Sequence, residues 1–160
     1  MDWTGLLTLV ASLALPLLVG ILGSIITTPS IEKWYKTIRK PSWNPPNWLF
    51  GPVWASLYIL MGIALWLVLS SVPWNSPQAE VPILLFVVQL FFNFLWSAIF
   101  FGLRRIGLAF VEIILLWVSI LLNLLEFYAI NPLAGLLLTP YLAWVSLASC
   151  LNASVWRLNR

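Results

Sequence analysis

Within one apolar stretch of the chain, Gln89, Asn93, Trp96 and Ser97 recur at i, i+4, i+7 and i+8, a spacing that places them on one face of a helix. Two other apolar stretches behave alike. Trp54, Tyr58 and Met61 form a stripe at i, i+4 and i+7, and Tyr141, Trp144, Ala148 and Asn152 one at i, i+3, i+7 and i+11. A fourth set, Glu112, Ser119, Asn123 and Glu126, falls at i, i+7, i+11 and i+14. The chemistry open to such sets is recognition rather than bond-making. Indole and phenol each offer a flat apolar face and one polar handle, and Asn and Gln add fixed donors and acceptors. Carriers for acid–base or metal chemistry are few. The sequence has no histidine, a single cysteine (Cys150) and no glycine-rich phosphate loop, so triads, thiolate metal sites and nucleotide cradles are excluded.

The elements that must hold these stripes are membrane helices. The chain is 62% hydrophobic and 8% charged, against roughly 25% charged in an ordinary soluble domain, and its mean hydropathy is +0.99. Apolar runs long enough to cross a bilayer, about 20 residues, occur at roughly 3–27, 50–71, 81–101, 106–128 and 133–156. The first lacks a basic leader, carries Asp2 instead, and exceeds a signal-peptide core, so it reads as a retained helix. Ser71–Pro77, Gly102–Arg105 and Asn131-Pro132 punctuate the later runs. Pro52 falls in the first turn of its helix, whereas Pro16 and Pro140 fall inside theirs and are expected to bend them or free a carbonyl. The expected fold is all-α: one integral membrane domain over 1–160, a five-transmembrane-helix bundle with a Trp/Pro-rich lid loop (28–49) between helices 1 and 2. An odd span count opposes a transporter built from inverted repeats.

Charge placement supports that count. With five spans, Lys33, Lys36, Arg39, Lys40, Arg104, Arg105, Arg157 and Arg160 all share one side, and Asp2 and Glu80 lie on the other. The positive-inside rule then puts the lid loop and the C-terminus in the cytoplasm. The net charge of +3 is small, and no nucleic-acid partner is expected.

Each polar stripe has an ordinary use as interhelical hydrogen bonding, and the fourth-span stripe equally suits a dimer interface. Depth separates the other three. Counting ~1.5 Å per residue from the cytoplasmic ends, Asn152 and Trp54 lie ~6–7 Å in, Trp96 and Asn93 ~9–13 Å, and Ala148 and Trp144 ~12–18 Å. Three polar-aromatic stripes at one depth, beneath a Trp-rich loop, describe a pocket with a lid, and apolar cavities with a few fixed polar groups are what small-molecule sites look like. Within the lid, Ser30–Arg39 has helical charge spacing and is expected to form a short interfacial helix with Trp34 and Tyr35 toward the bilayer. Pro41, Pro45 and Pro46 then impose a stiff, extended course. Trp43 and Trp48 are weaker lid candidates, and Trp3, Trp74 and Trp156 read as interface anchors.

Trp34-Tyr35, Lys40-Pro-Ser-Trp-Asn-Pro-Pro46, Gly51-Pro-Val-Trp54, Gln89-Leu-Phe-Phe-Asn93-Phe-Leu-Trp96 and Pro140-Tyr-Leu-Ala-Trp144 through Ala148 follow one another in order. In this series the chain resembles the translocator protein / tryptophan-rich sensory protein family (TspO, the peripheral-type benzodiazepine receptor), from the first helix to the C-terminus. The resemblance implies a five-helix bundle, usually dimeric, that binds porphyrins such as protoporphyrin IX and haem and flat aromatic drugs, with no obligatory cofactor. The family positions it carries over are Trp34, Tyr35, Pro45, Trp54, Asn93, Trp96, Trp144 and Ala148; the stripes themselves add Asn152. It also implies an alternative, light- and oxygen-dependent porphyrin breakdown through Trp54 and Trp144; a further alternative is a transporter of porphyrin or another amphiphile. Leu151–Arg157 lacks the tyrosine of the animal sterol motif, so cholesterol is not an expected ligand, and a bacterial membrane is the expected setting. Helix 3 lacks a Gly-xxx-Gly dimer motif; Gly20 and Gly23 in helix 1 supply small residues instead.

Overall fold

The computed structural model describes residues 3–160, so Asp2 lies outside the described residues. The chain forms α1 (Trp3–Ser30), α2 (Asn47–Ser71), α3 (Pro77–Ser97), α4 (Ile106–Ile130), the short α5 (Pro132–Leu137) and α6 (Thr139–Leu158). Five helical stretches are long and apolar enough to cross a membrane, α5 and α6 together making the last. The helices run longer than the apolar runs in the sequence, because the polar residues at their ends keep helical geometry past the hydrocarbon core. The outward faces of α1 and α4 are apolar, with Leu7, Val10, Leu18, Val111, Leu115 and Leu125 exposed. Inside, Met61, Ala64 and Val68 of α2 pack with Phe86 and Ile120, and Phe86 stacks on Phe127 at 5.8 Å.

Helix ends follow their sequence signals, with some departures. Asn131 caps α5 by accepting from the Leu133 and Ala134 N–H groups, and Pro132 takes the first helical position. Pro140 is not inside a helix as expected. The chain breaks at Leu138 and Pro140 sits in the first turn of α6, where a missing N–H costs nothing. The first helix also departs. No separate interfacial helix covers Ser30–Arg39; α1 runs to Ser30 and continues into a wide π-type turn over Ile31–Tyr35, so the lid loop shortens to 36–46. Pro29 cannot donate to the carbonyl four residues back, and the Ser30 hydroxyl instead donates to the Phe101 carbonyl at 2.9 Å. Tyr35 consequently turns inward rather than toward lipid: it is buried, with its ring against Phe100 and Phe101. The proline loop is not simply extended either, since the Asn44 N–H closes a turn onto the Pro41 carbonyl at 3.1 Å.

α3 ends in a second π-type turn, Ala98–Gly102. The Arg105 N–H then reaches back to the Ile99 carbonyl at 3.1 Å while Arg104 takes a left-handed φ of 56°, the geometry of a helix C-terminal cap more often filled by glycine. On α4, Glu112, Ser119 and Asn123 are buried but Glu126 is exposed, so the expected stripe does not hold together. The Asn123 amide donates to the Pro82 carbonyl at 3.1 Å, while neither Glu112 oxygen is hydrogen-bonded.

A candidate ligand cavity between α1, α2, α3 and α6

Glycine positions decide where α1 and α2 touch. A Cβ on Gly62 would lie 2.7 Å from the Leu13 Cα and 2.8 Å from the Ser12 carbonyl oxygen, a carbonyl that Pro16 leaves without its helical donor. Gly20 likewise faces the Tyr58 ring, and Gly23 faces Ser97 of α3. These glycines serve close packing between helices of one chain. Beyond Gly20, toward the cationic end, α1 and α2 separate and leave a cavity of about 520 Å³.

Its far walls are aromatic. Trp54 stacks on Tyr58 at 5.6 Å and meets Tyr141 edge-on at 6.1 Å. Phe50 meets Trp144 edge-on at 5.9 Å, and Trp96 stacks on Phe100 at 5.0 Å. Hydrogen bonds fix these rings from behind. Tyr58 donates to Asn93 Oδ1 at 2.7 Å and the Asn93 amide donates to the Tyr141 oxygen at 2.9 Å, tying α2, α3 and α6 together. The Trp96 Nε1–H donates to Asn152 Oδ1 at 3.1 Å, and the Asn152 amide donates to the Ile106 carbonyl at 2.9 Å.

Of the residues expected at a site, Tyr35, Trp54, Trp96, Trp144, Ala148 and Asn152 line the cavity. Asn93 does not: it stands one layer back, holding the two tyrosines. Trp34 packs edge-on to Phe100 at 5.7 Å with the Arg104 guanidinium 6.0 Å above its ring, outside the cavity. Pro45 lies in the loop, where its carbonyl accepts from the Asn44 side chain. Of the lid tryptophans, Trp48 reaches the lining and Trp43 does not. The wall missing from the aromatic stripes is α1. Gly20, Gly23, Ser24, Thr27 and Thr28 line the cavity at i, i+3, i+4, i+7 and i+8. That small-and-hydroxyl stripe is a legible signal of the same period, overlooked by a search for aromatics.

The loop over the cationic end is tied at several points. Tyr35 donates to Asn44 Oδ1 at 2.7 Å. The Arg39 N–H donates to Asn159 Oδ1 at 3.0 Å, and the Asn159 amide donates back to the Arg39 carbonyl at 2.9 Å. Lys40 Nζ donates to the Tyr35 and Ile38 carbonyls at 2.6 and 3.0 Å. Partial burial pulls the Lys40 pKa below its usual 10.5, while those two acceptors favour the ammonium form. Among the charged side chains of the described residues, only Glu32 lines the cavity.

Comparison with known proteins agrees with this architecture. The TspO/MBR family model matches residues 12–157. The chain is 46% identical to the tryptophan-rich protein TspO of Chlorobaculum tepidum, over 96% of this chain and 97% of that one. It is 42% identical to the tryptophan-rich protein TspO of Archaeoglobus fulgidus, over 96% and 98%. It is also 42% identical to the human translocator protein, over 79% of this chain and 75% of that one. A match of that length, over helices whose aromatic and glycine positions build the cavity, establishes that this chain belongs to the TspO/MBR family.

Proposed function

We propose that this protein is a membrane receptor for porphyrins, protoporphyrin IX or haem, and for other flat aromatic ligands, and that it serves tetrapyrrole sensing, transport or regulation. The observation that carries this reading is the aromatic cavity. Its volume of about 520 Å³ falls within the roughly 300–1,000 Å³ of small-molecule sites, and two of its walls are indoles, Trp54 and Trp144, whose N–H groups make no hydrogen bond among the described residues. Flat π-systems stack on such faces. Among the described residues no Lys or Arg lines the cavity, so the carboxylates of a porphyrin stay in water at the open end while the macrocycle lies deeper. In this reading the loop and the C-terminus face the cytoplasm, the working form is a homodimer, and cholesterol is not the native ligand.

Titrating protoporphyrin IX into the purified protein, while following tryptophan emission and the porphyrin absorbance band, tests the assignment. Saturable quenching that weakens in Trp54→Phe and Trp144→Phe is the expected result. Quenching that is absent, or identical in both variants, defeats it. A second reading, oxidative breakdown of bound porphyrin in light and oxygen, is favoured by the presence of both these indoles on the cavity wall. It requires the absorbance band to fade under illumination faster than that of free porphyrin, and only when both tryptophans are present.

A further inference from the structure

We infer that the cavity is loaded from the side, through the seam between α1 and α2, so that its ligand is an amphiphile taken from the membrane leaflet at the cationic end. The inference rests on reading the cavity as a ligand site. Ile21, Ser24 and Thr28 of α1 and Trp48, Gly51 and Ala55 of α2 all line the cavity, and all are also exposed. Two runs of exposed lining residues on helices that pack against each other trace a mouth along their seam. Each trio follows i, i+3, i+7 along its helix, so the slot is about 10 Å long at ~1.5 Å per residue. Ile21, Ser24, Gly51 and Ala55 fall within the apolar runs 3–27 and 50–71, and Thr28 and Trp48 lie just past them, so the opening extends from the hydrocarbon core to the membrane surface.

Toward the bundle centre the seam closes where Gly20 meets Tyr58 and Gly62 meets Leu13. Over the cationic end the loop is pinned by the paired Arg39–Asn159 bonds and by Tyr35 on Asn44. At the rim itself nothing obstructs Gly51, whose added Cβ would meet no atom within 4 Å.

The slot is graded in polarity, and that grading specifies the ligand. Glu32 and Asn47 line the end nearest the membrane surface, and Leu17, Ile21 and Ala55 the deep end. Between them the Ser24 hydroxyl is satisfied by the Ile21 carbonyl at 2.7 Å, whereas those of Thr27 and Thr28 make no hydrogen bond among the described residues. Unpaired hydroxyls within a membrane span are costly unless something polar reaches them. A molecule lying in the leaflet with its polar edge at the surface already has the orientation this gradient demands, and slides in without turning over.

The test uses the full chain in phospholipid vesicles and stopped-flow transfer of protoporphyrin IX from donor vesicles. Gly51→Leu and Ala55→Leu, which narrow the slot, are expected to slow uptake and release by a common factor, on the order of tenfold, so that Kd moves far less than either rate. Asn159→Ala, which unpins the loop, is expected to leave both rates at the wild-type value. If Asn159→Ala speeds both rates while the slot variants do not slow them, entry is through the loop and the proposal falls. A ligand-free measurement keeps the route separate from the porphyrin reading. Phospholipids brominated on their acyl chains should quench the Trp144 share of emission, obtained as wild type minus Trp144→Phe, and Gly51→Leu should protect it. Trp144 emission untouched by brominated lipid overturns the portal whether or not porphyrin binds. Quenching and protection without any porphyrin binding support the portal and reject the porphyrin reading alone.

Discussion

Replacing Asn93 by leucine isolates what the buried relay contributes. The side chain is buried, and its two bonds are to hydroxyls on different helices, Tyr58 on α2 at 2.7 Å and Tyr141 on α6 at 2.9 Å. Leucine keeps nearly the same volume, so packing is largely preserved and the polar terms are what change. An interhelical bond in a membrane is worth about 0.6 kcal/mol on average and up to about 1–2 kcal/mol. Tyr141 is only 1% exposed, and a buried hydroxyl left without its partner costs about 1–3 kcal/mol. Tyr58 borders the cavity, so its hydroxyl finds a substitute partner more cheaply. The expected loss is therefore about 2–4 kcal/mol, dominated by Tyr141. At about 2–4 °C per kcal/mol for a chain of this size, that lowers Tm by roughly 4–16 °C.

Thermal unfolding in detergent micelles, followed by near-ultraviolet circular dichroism, reads the change. Tyr58→Phe removes only the 2.7 Å bond and keeps the ring beneath Trp54, so its cost is about 0.6–2 kcal/mol. In the double variant that cost should vanish, because Asn93→Leu has already broken the same bond. Additive losses, or an Asn93→Leu protein melting within about 1 °C of wild type, would refute the relay. Ligand affinity should fall with stability in Asn93→Leu, since the tyrosines it holds are those against which Trp54 packs.

Other perturbations have opposite signs at chemically similar positions. Gly20→Ala drives a methyl into the Tyr58 ring and should cost about 1–3 kcal/mol, whereas Gly51→Ala meets open space and should gain about 0.5–1 kcal/mol from helix propensity; paired melting curves decide. Arg104→Gly relieves the left-handed backbone at φ 56°, worth about 1–2 kcal/mol, and loses a guanidinium–indole contact worth about 0.5–1 kcal/mol at an exposed site. It should therefore raise Tm slightly, while Arg104→Ala, which keeps the strain and loses the contact, should lower it. Lys40→Met removes the two donations to the Tyr35 and Ile38 carbonyls, and faster amide hydrogen exchange confined to the 36–46 loop is the expected signature.

The five membrane crossings are legible in the sequence because hydropathy over about 20 residues is a coarse signal that packing does not override. The aromatic walls are legible for a related reason: Trp54, Trp96 and Trp144 interrupt apolar helices at helical spacing. What escapes is where the chain stops being helical. Charge spacing over Ser30–Arg39 suggests an independent helix, but the burial of Tyr35 against Phe100 and Phe101 and the Ser30–Phe101 bond, contacts across some 70 residues of sequence, bind that segment to α3 instead. Asn93 illustrates a second limit. Its type and depth are right for a ligand contact, yet its side chain is committed to Tyr58 and Tyr141, and only the positions of two other helices reveal it. The glycine and hydroxyl stripe of α1 is hidden for the opposite reason, since small residues in a membrane helix have an ordinary use in close packing.

The indole N–H groups sort the tryptophans more sharply than burial does. Trp96 donates to Asn152, and Trp117 donates to Ser146 Oγ at 2.8 Å; both rings are held in fixed orientation by their polar edge. Trp156 is fixed differently, stacked on Phe110 at 5.8 Å beneath the Arg160 guanidinium and packed on Gly107. Trp66 carries a buried N–H with no partner, but it does not line the cavity. Trp54 and Trp144 are placed by ring contacts alone, against Tyr58, Tyr141 and Phe50, and keep their N–H groups uncommitted among the described residues. A wall residue with an anchored face and a spare donor can add a hydrogen bond to a ligand without breaking one in the protein, so the donor's desolvation is repaid by binding rather than by folding. Trp96 has no such donor to give. Its contribution is a stacking surface, and Trp96→Phe should therefore weaken flat ligands less than Trp54→Phe or Trp144→Phe, although all three rings border the same cavity.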